Sequence, residues 1–488
     1  MSAPASSDTN LGLPITRLAG LILGPLLLVA TVLLPAPGGM ANEAWLALGM
    51  LLFMATWWST EAIAIPVTAL LPIILIPALG LDTVVAATAA YANPIIFLFM
   101  GGFVLGLALQ RWNLHKRIAL LTLLAVGSQP KRQIGGFMVA TAFLSMWVSN
   151  TATTIMMLPI GLSVVSMMAD DDPEAVRRFA TNLLLAIAYA ASVGGIATLI
   201  GTPPNALLAA YLAQNQGITI GFAQWMLVGV PVSLTMLAAI WFWLTRNGMG
   251  DGDDAARKAE GLREQLQALG PMSRAEKLVA TVFVATAAAW ICQPMLAASL
   301  LPWLNDTIIA ITAAIVLFLI PVDLRSKIFL MDWDTAQGMP WGVLLLFGGG
   351  LALAGAISSS GLATWIAESL GVLSMLPALL MVALVVTVII FLTEVTSNTA
   401  TAAAFLPLLG ALAVAQDLSP LLFTIPAAIA ASCAFMMPVA TPPNAIVFGS
   451  GHLQIGDMIR AGFALNLLGI IVVTFAGYAL VGWIFGGL

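Results

Sequence analysis

Apolar runs long enough to cross a lipid bilayer recur along most of this chain. A crossing helix needs about 20 apolar residues to span roughly 30 Å of hydrocarbon. Eleven such runs lie near 17–35, 42–58, 60–80, 94–110, 179–214, 222–245, 276–294, 304–321, 340–357, 419–448 and 461–486. Two further regions, 133–168 and 378–410, break the pattern. Each has an apolar arm of about 15 residues, a polar Ser-Asn-Thr interruption and a second arm of similar length, so neither arm can cross. Each region predicts a re-entrant helical hairpin with its tip near mid-membrane, where loose backbone is tolerated only inside protein or at a cavity. Amphipathic stretches at 112–127 and 361–376 precede the hairpins and predict helices lying along opposite membrane surfaces.

Charge placement tests this topology. With the N-terminus in the cytoplasm and each hairpin returning to its starting side, all 17 Lys and Arg residues fall in cytoplasmic segments and the C-terminus is external. If the Ser-Asn-Thr stretches were full crossings, the downstream charges would scatter over both faces. Five crossings separate the run at 94–110 from the run at 340–357, an odd number, so the second hairpin enters from the opposite side. The two halves are therefore inverted. The loop 246–277, with Arg257, Lys258, Glu260, Arg263 and Glu264, reads as a solvated cytoplasmic loop carrying a helix.

Composition narrows the class. Of 488 residues, 61% are hydrophobic and 8% charged, with mean hydropathy +1.04. A soluble surface needs about a quarter charged residues. The chain is therefore an all-α polytopic membrane protein, and its short loops suit a bacterial inner membrane. A net charge of −5 without a basic, aromatic-laced patch excludes a nucleic-acid binder. Cys292 and Cys433 lie far apart and His115 and His452 are isolated, which argues against a disulfide framework or a Cys/His zinc site. The first apolar run exceeds the ~7–15 residues of a signal-peptide core and no small-x-small site follows, so it reads as a retained first helix.

The interruptions are duplicated. Ser-Asn-Thr-Ala-Thr occurs at 149–153 and 397–401, and the same shift of 248 pairs Ser145 with Thr393 and Pro159 with Pro407. It also pairs Phe99-Met100-Gly101-Gly102 with Phe347-Gly348-Gly349-Gly350. Thr-Pro-Pro-Asn follows each copy, at 202–205 and 441–444, with a shift of 239. A helix broken at mid-membrane exposes unpaired carbonyls at one end, which favour cations, and unpaired amides at the other, which favour anions. In the kinks, two prolines that cannot donate free further carbonyls. Ser, Thr and Asn add oxygens for a hard cation such as Na⁺ and O–H or N–H donors for a carboxylate. No Lys or Arg lies in these breaks, so a substrate dianion would be compensated by amide dipoles and bound cations.

Other features read as structural. Glu394, whose repeat counterpart is Met146, is expected to accept hydrogen bonds inside the second hairpin rather than to couple ions. Gly101, Gly102 and 348–350 read as close-packing positions, and Pro159 and Pro407 as structural. Trp57, Trp58, Trp241, Trp243, Trp341 and Trp483 read as interfacial anchors.

The paired motifs, with Ser145-Met146-Trp147-Val148-Ser149-Asn150-Thr151 and Thr393-Glu394-Val395-Thr396-Ser397-Asn398-Thr399, resemble the divalent anion/sodium symporter family of INDY-type dicarboxylate transporters over essentially the whole chain. The resemblance implies a homodimer with a scaffold domain (1–128 and 272–376) and a mobile transport domain (129–271 and 377–488) working as an elevator. It implies Na⁺-coupled transport of succinate, malate, fumarate or citrate, although some members exchange dicarboxylates without Na⁺. Carried over by motif, one Na⁺ site uses Ser145, Ser149, Asn150 and the backbone at Gly201. The other uses Thr393, Asn398 and the backbone at Thr396 and Ala440. The dicarboxylate lies between Asn150-Thr151 and Asn398-Thr399, with Pro442 nearby. A membrane-embedded enzyme is disfavoured, because no carboxylate pair, metal cluster or Ser–His arrangement accompanies the breaks. A channel is disfavoured because hairpins opening to opposite sides suit alternating access.

Overall fold

The computed structural model describes residues 15–127, 129–168, 172–246, 255–369 and 376–486. Regular structure among them is helical except for one antiparallel pair, Pro321–Asp323 with Ile328–Phe329. Eight of the described helices are long and apolar enough to cross a membrane. Seven coincide with runs anticipated above, and the eighth, Asn398–Ala415, is the second arm of hairpin two. The run at 60–80 divides into Ile65–Thr68 and Leu71–Ala78, where Pro66 and Pro72 deny donors to the preceding turn. The run at 304–321 gives a shorter helix, Asp306–Leu319.

Several helices begin before their apolar stretch, because polar caps extend them. Asp172 accepts from Ala175 N at 3.2 Å and starts Pro173–Ile196. A reciprocal pair of Ser273 and Glu276 starts Arg274–Ser299. Gln454 with Asp457 starts Ile455–Phe485, so Arg460 sits inside a helix rather than in a loop.

Both hairpins are present. Hairpin one is Pro130–Ser145 followed by Asn150–Ser166. Hairpin two is Ala378–Thr393 followed by Asn398–Ala415. Their tips are the same backbone turn: Leu144 O accepts from Trp147 N and Val148 N at 3.1 and 2.9 Å, and Leu392 O accepts from Val395 N and Thr396 N at 3.1 Å each. The chain then straightens at Ser149 and Ser397 before each second arm.

Both Thr-Pro-Pro-Asn kinks break a helix. Broken helix one is Pro173–Ile196, a break at 197–202, then Pro203–Tyr211. Broken helix two is Leu421–Ala430, a break at 431–441, then Pro442–Phe448. Thr202 (φ −145°, ψ 143°) and Thr441 (φ −140°, ψ 150°) are extended, the conformation a following proline imposes.

The halves interlock. The first arm of each hairpin packs on the broken helix of its own half, whereas Pro203–Tyr211 packs on Asn398–Ala415 and Pro442–Phe448 packs on Asn150–Ser166. Glycines allow the close approaches: a Cβ at Gly194 would lie 2.5 Å from Ala142 Cα, and one at Gly101 would lie 2.6 Å from the Ala310 backbone.

The amphipathic stretch at 112–127 is the helix Leu114–Val126. On it, buried Arg117 pairs with Glu276 at 2.7 Å and donates to Gly270 O at 3.0 Å. The second stretch begins as Leu362–Ser369, and 370–375 lie outside the described residues. The loop after residue 246 carries the helix Ala255–Ala268, with 247–254 outside the described residues. Basic residues from distant segments meet neighbouring segments: Arg17 pairs with Glu61, Arg111 with Asp332, and Lys131 O accepts from Trp241 Nε1.

Candidate functional site

Each hairpin tip is hydrogen-bonded into the broken helix of its own half. In half one, Ser145 Oγ lies 2.6 Å from the Asn150 amide and 2.7 Å from Ala191 O. The same end of that amide lies 3.1 Å from Ala191 O and 3.3 Å from Gly201 O. Turned with nitrogen inward, the amide can donate to these oxygens. Turned with oxygen inward, four oxygens converge with a single hydroxyl proton among them, an arrangement that calls for a cation. Gly195 and Gly201 make this possible, since a Cβ at Gly201 would come 2.3 Å from Gly195 O.

Half two repeats the pattern. Thr393 Oγ1 lies 2.7 Å from Asn398 Oδ1 and 3.0 Å from Ala431 O, again one proton between two acceptors. Ser145 and Thr393 are both fully buried. Of the residues anticipated for the cation sites, the structure thus joins Ser145, Asn150 and Gly201, and separately Thr393 and Asn398. Ser149 Oγ caps its helix by accepting from Ala152 N at 3.3 Å. Thr396 Oγ1 donates to Leu392 O at 2.8 Å and lies 2.7 Å from Thr401 Oγ1. Among the described residues no hydrogen bond joins Ala440 to Asn398, nor Asn150-Thr151 to Asn398-Thr399.

The breaks themselves are held by two asparagines. Asn205 Nδ2 donates to Gly195 O, Ile196 O and Thr198 O at 3.2, 3.3 and 2.8 Å. Asn444 Nδ2 donates to Ala434 O and Met437 O at 3.3 and 3.0 Å, the equivalent positions under the shift of 239. The sequence offered asparagine at the breaks both as an oxygen and as an N–H donor; here the N–H groups are used, on the backbone of the breaks themselves. A partner-free Oδ1 remains on each.

Glu394 accepts hydrogen bonds, but not inside hairpin two as anticipated: its donors come from the second break and from Ile455–Phe485. Its carboxylate accepts from Phe435 N at 2.7 Å, Met436 N at 2.9 Å, Met437 N at 2.9 Å and Asn466 Nδ2 at 2.8 Å. In half one the positions equivalent to Glu394 and Met437 are linked in the same direction with side chain and backbone exchanged: Thr198 Oγ1 donates to Met146 O at 2.6 Å. Tyr189 Oη donates to Phe435 O at 2.8 Å, and Thr202 Oγ1 lies 3.5 Å from Ser432 Oγ, so the two breaks touch. Thr198, Tyr189 and Asn466 carry no repeat signature, and single polar residues in apolar helices do not announce such links.

The tips also present unused donors. Asn150–Ser166 and Asn398–Ala415 both start at a tip, leaving first-turn amides without intrahelical acceptors. The hydroxyls of Thr151, Ser397 and Thr399 have no hydrogen-bond partner among the described residues. Pro442 is exposed, in sequence-equivalent position to Pro203, at the start of a helix that packs on Asn150–Ser166. Trp147, at tip one, is stacked with Phe222 and Trp290 and edge-on to Phe283.

Oppositely entering hairpins set against two helices broken at duplicated motifs define a membrane transporter built from inverted repeats. Residues 15–486 match the family described as the sodium:sulfate symporter transmembrane region, and the chain belongs to that family. It is 43% identical to the sodium-dependent dicarboxylate transporter SdcS of Staphylococcus saprophyticus, over 99% of this chain and 95% of that protein. A Staphylococcus aureus SdcS is 44% identical over 95% of this chain and 91% of its own. Among solved structures, Neisseria gonorrhoeae MtrF aligns with TM-score 0.59 and 13% identity, covering 98% of this chain and 96% of that one. The Alcanivorax borkumensis YdaH transporter aligns with TM-score 0.57 and 14% identity, covering 96% and 99%. At these identities the two structures share the fold alone.

Proposed function

We propose that this protein is a Na⁺-coupled symporter of C4-dicarboxylates, with succinate, malate and fumarate as substrates. The observation that carries the proposal is the convergence, in both halves, of side-chain and backbone oxygens at a hairpin tip beside helix amides and hydroxyls that lack partners. Na⁺, as co-transported cargo, would lie among Ser145, Ser149, Asn150 and the Gly201 carbonyl in half one. In half two it would lie among Thr393, Asn398 and the backbone at Thr396 and Ala440. The dianion would lie between Asn150-Thr151 and Asn398-Thr399, near Pro442, held by amide ends and hydroxyls. Because no Lys or Arg is present there, bound Na⁺ supplies the positive charge, so substrate binding without it is weak. The names and identities of the staphylococcal relatives support both the ion and the substrate class.

The transport cycle is an elevator in a homodimer: residues 129–271 and 377–488 move against a scaffold of 1–128 and 272–376. The membrane is a bacterial plasma membrane, with the N-terminus cytoplasmic and the C-terminus external, supported by the positive-inside count. A second reading, Na⁺-independent dicarboxylate exchange, follows if the inward amides of Asn150 and Asn398 replace the cations.

Uptake of labelled succinate into proteoliposomes, with and without an inward Na⁺ gradient, separates the two. Symport requires Na⁺ and no internal substrate; uptake that ignores Na⁺ but needs internal dicarboxylate would replace symport with exchange. Asn150→Ala and Asn398→Ala are each expected to abolish uptake in protein that still elutes as a single species. Wild-type uptake by either variant would overturn the site.

A further inference from the structure

Away from the transport site, four arginines converge on one cleft. Arg177 and Arg178 sit in the first turns of Pro173–Ile196, Arg246 follows the end of Phe222–Thr245, and Arg460 sits near the start of Ile455–Phe485. The cleft has a volume of about 400 Å³. Leu185, Leu244 and Ala461 add apolar surface to its lining, beside Thr181 and Asn182. All three helices are long and apolar enough to cross the membrane, so their ends place the cleft at headgroup level.

We propose that this cleft binds the headgroup of an anionic phospholipid. Two carboxylates share the cleft with the four guanidinium groups, and both are committed. Glu174 pairs with Arg178 at 3.1 Å, and Asp457 accepts from Gln454 N. Arg246 donates to Trp243 O at 2.7 Å and lies 3.3 Å above the Trp243 ring. Arg177 and Arg460 have neither an ion pair nor a hydrogen bond among the described residues, although both line the cleft, from different helices. Two unpaired guanidinium groups in a cleft of mixed polar and apolar lining fit a phosphodiester, which arginine grips with two parallel N–H bonds.

Two further observations favour a lipid over a free anion. Trp243 belongs to the belt of indoles found at the headgroup boundary. Phe242, Ile459 and Phe463, on the packed pair Phe222–Thr245 and Ile455–Phe485, are exposed and would lie along acyl chains. Basic pockets between crossing helices at the cytoplasmic end, to which the charge pattern assigns this cleft, are suited to acidic headgroups. The proposal uses only the membrane location and not the identity of the transported substrate.

Delipidated protein in a neutral detergent, titrated with phosphatidylglycerol or phosphatidylcholine and read by native mass spectrometry, tests this. Phosphatidylglycerol is expected to bind in preference to phosphatidylcholine. Arg177→Gln with Arg460→Gln is expected to weaken it roughly 30-fold, about fivefold for each charge removed near the headgroups. Arg177→Lys with Arg460→Lys should retain most of the affinity. If the double glutamine variant does not fold, Arg460→Gln alone should still show the fivefold loss. Equal binding of phosphatidylcholine, or unchanged binding by the variants, overturns the proposal. Displacement of the lipid by an equal concentration of glycerol phosphate also overturns it, since the cleft would then be a free-anion site.

Discussion

Replacing Glu394 by glutamine tests how the second break is held. The carboxylate faces four N–H donors and no cation: the amides of Phe435, Met436 and Met437 and the side chain of Asn466. Glutamine keeps one oxygen. With that oxygen at the Oε1 position it still accepts from Phe435, Met436 and Asn466, but its NH₂ turns on the Met437 amide, 2.9 Å away. One buried N–H left without an acceptor costs about 1–3 kcal/mol, and the surviving bonds fall from charge-assisted to neutral strength. The total is about 3–5 kcal/mol, with no water at this depth to replace what is lost. Thermal unfolding in detergent, followed by tryptophan fluorescence, should show melting lowered by roughly 5–10 °C. Glu394→Met, which imitates half one, orphans all four donors and should cost about twice as much. Succinate uptake by the glutamine variant should need more Na⁺, because the loosened segment leads into Ala440 and the proposed second cation site. An unchanged melting temperature would refute the structural role. If Na⁺ dependence changed while melting did not, Glu394 would act on the ion directly.

Other perturbations probe the first half and the tip. Gly201→Ala puts a Cβ 2.3 Å from Gly195 O, a misfit of about 1–3 kcal/mol that should raise the Na⁺ concentration for half-maximal uptake by five-fold or more. The reverse change in half two, Ala440→Gly, should leave that concentration nearly unchanged. Asn205→Asp replaces a donor to three carbonyls by a group that cannot donate, costing about 3 kcal/mol or more; the variant should fail to elute as a single species after extraction, whereas wild-type behaviour would remove the clamp role. Trp147→Ala empties the space between Phe222, Phe283 and Trp290, a loss of about 3–5 kcal/mol that should lower melting and raise hydrogen exchange at 146–149.

The legible part of this molecule was its irregular part. Ser-Asn-Thr and Thr-Pro-Pro-Asn interrupt apolar sequence with residues that break helices for known reasons, so hairpins and kinks could be placed within a few residues. Helix starts were less legible, because caps such as Asp172 and Gln454 with Asp457 carry helices out beyond their apolar runs. The run at 60–80 looked continuous by hydropathy, yet its prolines divide it. Within the site, identities were legible and chemical roles less so. Asparagine offers both an acceptor and a donor, and only the fold shows that Asn205 and Asn444 spend their N–H groups on the breaks. Thr198 and Tyr189 were invisible because a lone hydroxyl in an apolar helix commonly bonds only its own preceding turn.

The two halves also show what the duplication preserves. Each hairpin tip must be tied to the break of its own half, or a loosened backbone segment would be left unpaired in a medium without water. Half one makes the tie from a side-chain donor, Thr198, to a tip carbonyl, Met146 O. Half two makes it from a break amide, Met437 N, to a tip side chain, Glu394. The positions correspond under the shifts of 248 and 239, and the break donates to the tip in both halves, but side chain and backbone have changed places. The requirement is thus a hydrogen bond between two places, not a residue at either. The breaks differ accordingly: half one is closed by backbone contact at Gly195 and Gly201, whereas half two, with Ala434 and Ala440, is closed by a carboxylate. The two proposed cation sites, built on such different supports, are not copies of one another. A change that loosens one support should shift the ion affinity of that half while leaving the other close to its original value.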